Sequence, residues 1–281
     1  MNVTQLWRYP VKSMIGETVD SLRVEALGVV GDRTWAVRDL ERGGIRGAKK
    51  IGALMKFAAL DLGDGDVEIT TLAGDTLRTS DSEVDSRLSA ELGRAVRLER
   101  LRPAHVTDHY RRGAPDNDDI MAEFMDIFGR IEGEPLPDLS VFPPELAEYE
   151  SPPGTYYDAF PLMVMTEQAL AGLAADVPDS AIDVRRFRPS LVIDAPDQRA
   201  TVPGHPEFDW VGRSARLGSA VIEFGAACPR CVMITREIDG SLPVDRAILR
   251  HVVRELNQNV GVYATVATPG EVRFGDELSL L

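Results

Sequence analysis

Residues 220–235 read Ala220-Val221-Ile222-Glu223-Phe224-Gly225-Ala226-Ala227-Cys228-Pro229-Arg230-Cys231-Val232-Met233-Ile234-Thr235. The pattern is a strand over Ala220–Phe224, a Cys-x-x-Cys pair, and a second β-branched run over Val232–Thr235. In a thioredoxin-like dithiol the first cysteine opens a helix, whose dipole favours the thiolate. A run as β-branched as Val232–Thr235 predicts no such helix. Structural zinc usually takes four protein ligands. Cys228 and Cys231 are the only cysteines, and His105, His109, His205 and His251 provide no matching pair at ligand spacing. Two readings remain open locally. One is a pair of small buried thiols without chemistry. The other is a single thiolate ligand to a soft metal centre, kept ionised by the neighbouring Arg230.

Working outward, the rest of the chain reads as many short strands with a few helices. Val3–Tyr9 and Thr18–Ala26 are strands, and Lys56–Leu62 with Val67–Thr71 predicts a hairpin around Gly63-Asp64-Gly65. Val84, Leu88 and Leu92 fall on one face of a helix over 82–92 that Gly93 can end. Leu162–Met165 and Leu191–Ile193 are buried-strand candidates, and Glu167–Ala175 is a helix candidate. The strongest helix is Val244–Asn257, with Ile248, Leu249, Val252, Val253 and Leu256 on one face and His251 turned towards solvent. Val262–Thr268 and Glu271–Leu280 close the chain as strands. Residues 107–150 differ: twelve acids, three arginines and five prolines make this an inserted, partly irregular, solvated rim, with a helix at Asp119–Phe128. The expected class is α+β and β-rich, with the strands closing towards a barrel. The expected divisions are residues 1–106, an acidic insertion at 107–155, and a core at 156–281.

Of the 281 residues 44% are hydrophobic, enough for a buried core, and the net charge is −14. An acidic chain argues against sequence-independent nucleic-acid binding, which needs Lys and Arg to neutralise phosphates. The N-terminus lacks a basic stretch followed by an apolar run, and no segment approaches the roughly 20 apolar residues of a membrane helix. No membrane partner is expected, and two cysteines suit a reducing, cytoplasmic compartment. Phosphate-binding loop, dinucleotide, zinc-protease and serine-hydrolase motifs are absent.

An ordered set of short motifs carries a resemblance. Tyr9-Pro10-Val11-Lys12-Ser13 is followed by Gly31-Asp32-Arg33-Thr34-Trp35, Arg186-Phe187-Arg188-Pro189-Ser190, the cysteine element, and Gly261-Val262-Tyr263-Ala264. This order resembles the MOSC family with its N-terminal β-barrel extension, in particular the amidoxime-reducing branch. The match spans residues 1–60 and 160–281. The resemblance implies a MOSC-type β-barrel that binds a molybdenum cofactor, a molybdopterin with Cys231 as the protein ligand to the metal. Lys12, Ser13, Arg33 and Arg188 match cofactor-holding positions, and Lys49 falls near one that is often Arg. Ser190 stands where relatives often carry Asn, and its hydroxyl has a shorter reach. Thr166, Cys228 and Arg230 complete the expected pocket. Arginine forks suit the cofactor's phosphate, and lysine adds a mobile point charge.

The implied activity is molybdenum-dependent removal of oxygen from N-hydroxylated small molecules. The chain has no spare cysteines for an iron–sulfur cluster, so electrons would come from a separate flavin or iron–sulfur protein. On an acidic surface, Arg111-Arg112 or Arg185-Arg186 is the expected docking patch for an acidic donor. Two alternatives share the motif set: sulfur transfer through a persulfide on Cys231 resolved by Cys228, and a carrier that passes the cofactor on.

Overall fold

The computed structural model describes all 281 residues. In chain order the first half carries β1 (Asn2–Arg8), β2 (Glu17–Thr18), β3 (Ser21–Glu25), β4 (Gly28–Val29), β5 (Trp35–Asp39), β6 (Ala58–Asp61), β7 (Val67–Thr70), β8 (Thr76–Arg78), α1 (Val84–Leu92), β9 (Val96–Arg100) and α2 (Ile120–Phe128). The second half carries β10 (Leu162–Thr166), α3 (Glu167–Asp176), α4 (Val184–Phe187), β11 (Leu191–Asp194), β12 (Ser214–Leu217), β13 (Ala220–Pro229), α5 (Ala247–Glu255), β14 (Asn259–Thr268), β15 (Gly270–Arg273) and β16 (Leu278–Leu280). The fold is strand-rich α+β, as expected.

Eight strands form one curled sheet in the order β16-β12-β13-β14-β10-β11-β1-β2. Its long central pair, β13 and β14, carries three register shifts, which bend and twist a sheet. β10 and β11 run parallel, with α3 and α4 in the crossover between them. Three smaller sheets join β15-β3-β4, β5-β9 and β6-β7-β8.

The pairings interleave the two halves of the chain. β1 lies against β11, and β3 against β15. One core therefore unites Val3, Leu6 and Leu22 with Val164, Ile222 and Val262. A second unites Met14, Leu54 and Ile69 with Met233, Ile238 and Leu242. The surface between the halves is itself core, which brings residues near position 12 beside residues near position 230.

Most expected elements form. The 58–70 hairpin is antiparallel, α1 ends at Gly93 in the left-handed region, and Asp119 caps α2 through Met121 and Ala122 N–H. Three expectations fail. Glu271–Leu280 is not one strand but β15 and β16, which a turn at Phe274-Gly275 sends to different sheets. Val232–Thr235 is a 3-10 turn instead of a strand. The buried Arg186 guanidinium donates to the carbonyls of Ile234 and Arg236 at 3.3 and 2.9 Å, and Thr235 Oγ1 donates to Val232 O at 2.8 Å. Thr235 thus closes the turn from within, Arg186 satisfies its end from outside the segment, and together they override local β propensity. His251 is not solvated. Its side chain is only 15% exposed and faces Asp176 at the end of α3, 3.4 Å away.

Candidate functional site

Six non-glycine residues have a positive φ, and three of them, Ser13 (70°), Arg33 (47°) and Arg188 (59°), wall one cavity. Each such conformation costs about 1 kcal/mol or more for a residue with a Cβ. Local bonds hold all three. Tyr9 N–H donates to Asp32 Oδ1 at 2.7 Å, and Arg33 N–H returns to Tyr9 O at 2.7 Å, so the Gly31-Asp32-Arg33 turn is bonded to the end of β1. Ser13 Oγ accepts the Ala48 N–H at 2.8 Å. A Cβ on Gly47 would lie 2.7 Å from that oxygen, so the neighbouring turn needs glycine there. Arg188 ends the single turn of α4, its N–H bonded to Val184 O at 3.1 Å.

The side chains bring cations into a dry place. The Arg188 guanidinium lies over the Tyr9 ring at 4.2 Å and that of Arg33 at 5.2 Å from its centroid. Arg188 Nη1 donates to Met14 O, but the buried Nη2 has no partner. Burial, and then the nearby Arg33 charge, pulls the Arg188 pKa down to about 10, still above neutral. Arg230 donates through Nη1 to Cys228 Sγ at 3.0 Å and through Nη2 to Phe187 O at 2.8 Å, while its buried Nε is unpartnered. Burial pushes the Cys228 thiol above its usual range, against the Arg230 charge.

Asp158 sits between two lysines. Lys12 Nζ reaches its Oδ1 at 2.6 Å and Lys49 Nζ its Oδ2 at 3.0 Å. Burial raises the Asp158 pKa, but the two ammonium groups outweigh it and hold the carboxyl well below its ordinary value. Lys12 is buried and donates also to Tyr156 O at 2.7 Å. It is not an exposed loop lysine.

Cys231 occupies the junction of two cavities. The polar one, about 90 Å³, is walled by Lys12, Ser13, Arg33, Arg188 and Arg230. The other, about 300 Å³ and mostly apolar, is roofed by residues from 124–147. Cys231, Pro229, Asp158 and Tyr263 border both. Cys231 is partly exposed, whereas Cys228 is buried. A cationic cleft of about 440 Å³ starts beside them at Val232 and carries Lys50, Arg130, Arg236, Arg246 and Arg250. No three His, Cys, Asp or Glu side chains converge, which removes the structural-zinc reading.

Of the ten candidates, Lys12, Ser13, Arg33, Arg188, Cys228, Arg230 and Cys231 line the polar cavity, and Lys49 borders the apolar one. Thr166 and Ser190 are not brought there. Thr166 Oγ1 donates to Glu207 Oε2 at 2.7 Å and accepts the Ala169 N–H at 3.1 Å, so it caps α3 from inside the barrel. Buried Ser190 uses its backbone to join β10 and β1, giving its N–H to Met163 O and taking that of Trp7. Asp158 and Tyr263 in the wall, and Tyr9 against the Arg33 and Arg188 guanidinium groups, are site residues that sequence reasoning misses. Tyr9 and Tyr263 stand inside motifs that drew attention to their neighbours. Asp158 follows two tyrosines in a stretch without periodicity, and only the folded chain shows the lysines on either side of it.

A family model described as the MOSC N-terminal beta barrel domain matches residues 1–122, and one described as the MOSC domain matches residues 152–279. No curated protein matches the chain. Among solved structures, the YuaD protein from Bacillus subtilis is similar over 99% of this chain and 94% of its own, at 10% identity and TM-score 0.46. YiiM from Geobacillus stearothermophilus (14% identity, TM-score 0.31) and YiiM from Escherichia coli (19%, 0.32) are each similar over 43% of this chain and 54% of their own.

Proposed function

The chain belongs to the MOSC family, which is associated with molybdenum-cofactor binding, and from that premise we propose that it is a molybdenum-dependent oxidoreductase of N-hydroxylated compounds. The observation that carries the cofactor assignment is the unsatisfied polar cavity. Two buried guanidinium N–H groups lack partners, and three non-glycine residues hold left-handed backbone around the same space. An unmet buried donor costs about 1–3 kcal/mol, and each strained residue about as much. Against a total stability of about 5–15 kcal/mol, that is a large local cost for an empty hole and a reasonable one for an anion site.

The donor set fits a pterin with a terminal phosphate. Arg188, stacked on the Tyr9 ring beside an Arg33 that is already paired with Asp32, offers the unmatched charge suited to the phosphate. Arg230 adds a further free donor, its Nε, Lys12 lies in the wall already bonded to Tyr156 and Asp158, and Cys231 presents a thiol at the mouth. At about 90 Å³ the cavity is smaller than the whole group, so its walls must part on binding. Residues 157–161 form the wall free of regular structure. When bound, such a group supplies oxygen-atom exchange coupled to two-electron redox. The chain's own residues hold the anion, exclude water from the guanidinium layer, and keep Asp158 ionised between two lysines beside the reacting position.

The electron donor would be a separate flavin or iron–sulfur protein. Neither expected docking patch is free for it. Arg111 pairs with Asp108 and Glu148, Arg112 with Glu150, and Arg185 with Asp183 and Asp239, while Arg186 is buried. In the cleft that begins at Val232, Lys50 and Arg250 are themselves paired, with Glu123 and Glu134, so Arg236 and Arg246 are the cations there that could meet an acidic donor.

The deciding experiment is molybdenum and pterin content of the chain purified from a cofactor-producing host, beside Cys231→Ala. Near-stoichiometric metal and pterin, with the metal lost in the variant, supports the assignment. Absence from both samples, with sulfane sulfur on Cys231, would replace it with the sulfur-transfer reading. Loosely held cofactor with no turnover on any N-hydroxylated compound would replace it with the carrier reading.

A further inference from the structure

The segment expected to be a solvated rim has a second face. Of its twelve acids all but Glu123, Glu134 and Glu150 are exposed. Ile120, Met121 and Ile131 are exposed with them, but a second set of apolar side chains turns the other way. Phe124, Ile127 and Phe128 follow the i, i+3, i+4 spacing of one face of α2. Together with Leu139, Phe142 and Leu146 from the turns that follow, they converge on the apolar chamber. None of the six belongs to any of the four hydrophobic cores. Scattered exposed apolar residues need no explanation. Six that meet around one concavity, in an acid-rich segment, with a partly exposed thiol on its floor, do.

The roof is fixed at both ends. At the end of α2, Gly129 takes φ 62°, and a Cβ there would lie 3.1 Å from that of Val232. Next to it the buried Arg130 donates to Gln258 Oε1 at 2.9 Å and to Arg230 O at 3.3 Å, which joins the roof to the cysteine loop. At the far end Arg112 pairs with Glu150 at 2.9 Å and donates to Leu146 O at 2.7 Å. The charges that border the chamber are thus already matched, Arg112 by Glu150 and Lys49 by Asp158. The chamber offers a substrate body apolar contact and no free charge.

We infer that this chamber is a substrate pocket: it takes the apolar body of a small molecule whose polar, reacting head lies at Cys231. Its volume, about 300 Å³, is at the lower end for ligand pockets and suits one aromatic ring or a branched aliphatic group. The reacting head as an N-hydroxylated group rests on the reductase reading. The selection of an apolar body does not.

The two are separable with amidines, which share a head and differ in body. Calorimetry on the purified full chain should show benzamidine bound at least tenfold more tightly than acetamidine. Phe142→Ser and Phe124→Ser should each reduce that ratio at least threefold, and Leu146→Trp, which fills the space, should abolish it. All three positions lie outside the cores. Equal affinity for the two amidines, or an unchanged ratio in all three variants, would overturn the chamber. Turnover of the corresponding amidoximes, with a chemical reductant, reads the other proposal. Turnover without phenyl preference overturns the chamber alone. Phenyl-selective binding without turnover supports the chamber and counts against the reductase.

Discussion

Arg188 shows how a residue is kept for a ligand at a cost to the fold. Its guanidinium is buried, unmatched by any carboxylate in direct contact, and stacked on Tyr9 beside a second arginine. Replacing a buried charge by an apolar group of similar volume is often neutral or stabilising. Arg188→Met should therefore change the unfolding free energy of the cofactor-free protein by no more than about 1 kcal/mol in the unfavourable direction. Its retained molybdenum and pterin should fall below about a tenth of wild type, the scale of a lost charged contact of about 1.5–3 kcal/mol. A variant that keeps full cofactor would remove Arg188 from the site. Asp158 makes the opposite case. Its folded-state pKa is depressed despite burial, because Lys12 and Lys49 flank it. A depressed carboxyl contributes stability that is fully present above its unfolded pKa, about 4, and lost as the pH falls through the folded value. Asp158→Asn should thus be less stable than wild type at pH 7, by no more than about 1 kcal/mol, because the Asp158 side chain is partly exposed and solvent screens its two ion pairs. The gap should close as the pH falls below about 4, measured by denaturant titration at several pH values. Lys12, Arg33, Arg188 and Cys231 stood out only together, through the ordered motif set and the resemblance it carries. Asp158 was not, since nothing local marks an acid that is neutralised from positions 12 and 49.

At the scale of elements, periodicity was a good guide where an element makes its own bonds. α1, α2, α3 and α5 form close to their expected places, and α5 buries the Ile248, Leu249, Val252 and Val253 face. It fails where bonds come from elsewhere: the turn after Cys231 is held by Arg186, almost fifty residues earlier in the chain. That turn takes the thiol out of a strand and sets it between the two cavities. α2 gives an element-scale test. Asp119 accepts from Met121 and Ala122 N–H and so caps the helix. Asp119→Ala should cost about 1 kcal/mol of local helix stability. The effect should appear as about fivefold faster hydrogen exchange over 120–128, with global stability little changed because these residues lie outside the cores. Slowed or unaltered exchange would mean that tertiary contacts alone hold the chamber roof.

Across the whole molecule the two family-matched regions are not separate bodies. β1 supplies the neighbour of β11, and β3 the neighbour of β15, from the opposite end of the sequence. A fragment of residues 156–281 lacks Val3, Leu6 and Leu22 from one core and the partners of Met233 and Ile238 in another. It should not fold alone, showing no cooperative melting, and co-expression with residues 1–155 should restore it. Charge sets a second prediction at this scale. The chain carries a net −14, yet the cleft beside Cys231 is cationic. Reduction by an acidic donor protein should slow as salt is raised, since screening shortens the reach of the cleft's field. Arg246→Glu should lower the second-order rate about threefold or more at low salt and have little effect at high salt. A rate indifferent to both would place the donor elsewhere. No helix of the structure is long and apolar enough to cross a membrane.

What the sequence by itself determined is what residue type and spacing encode: the strand-rich class and the helices with an apolar stripe, which depend on local sterics and periodicity. The cysteine and basic residues of the polar cavity came with the resemblance carried by the ordered motifs, not with the chemistry of any one of them. Tertiary structure decided what depends on distance between remote residues. It removed Thr166 and Ser190 from the cavity, because their bonds serve a helix cap and a strand junction. It set Asp158 between two lysines and turned the apolar face of an acidic segment over Cys231. Composition averages over that segment and records its charge, while the fold separates its two faces and gives each a different neighbour.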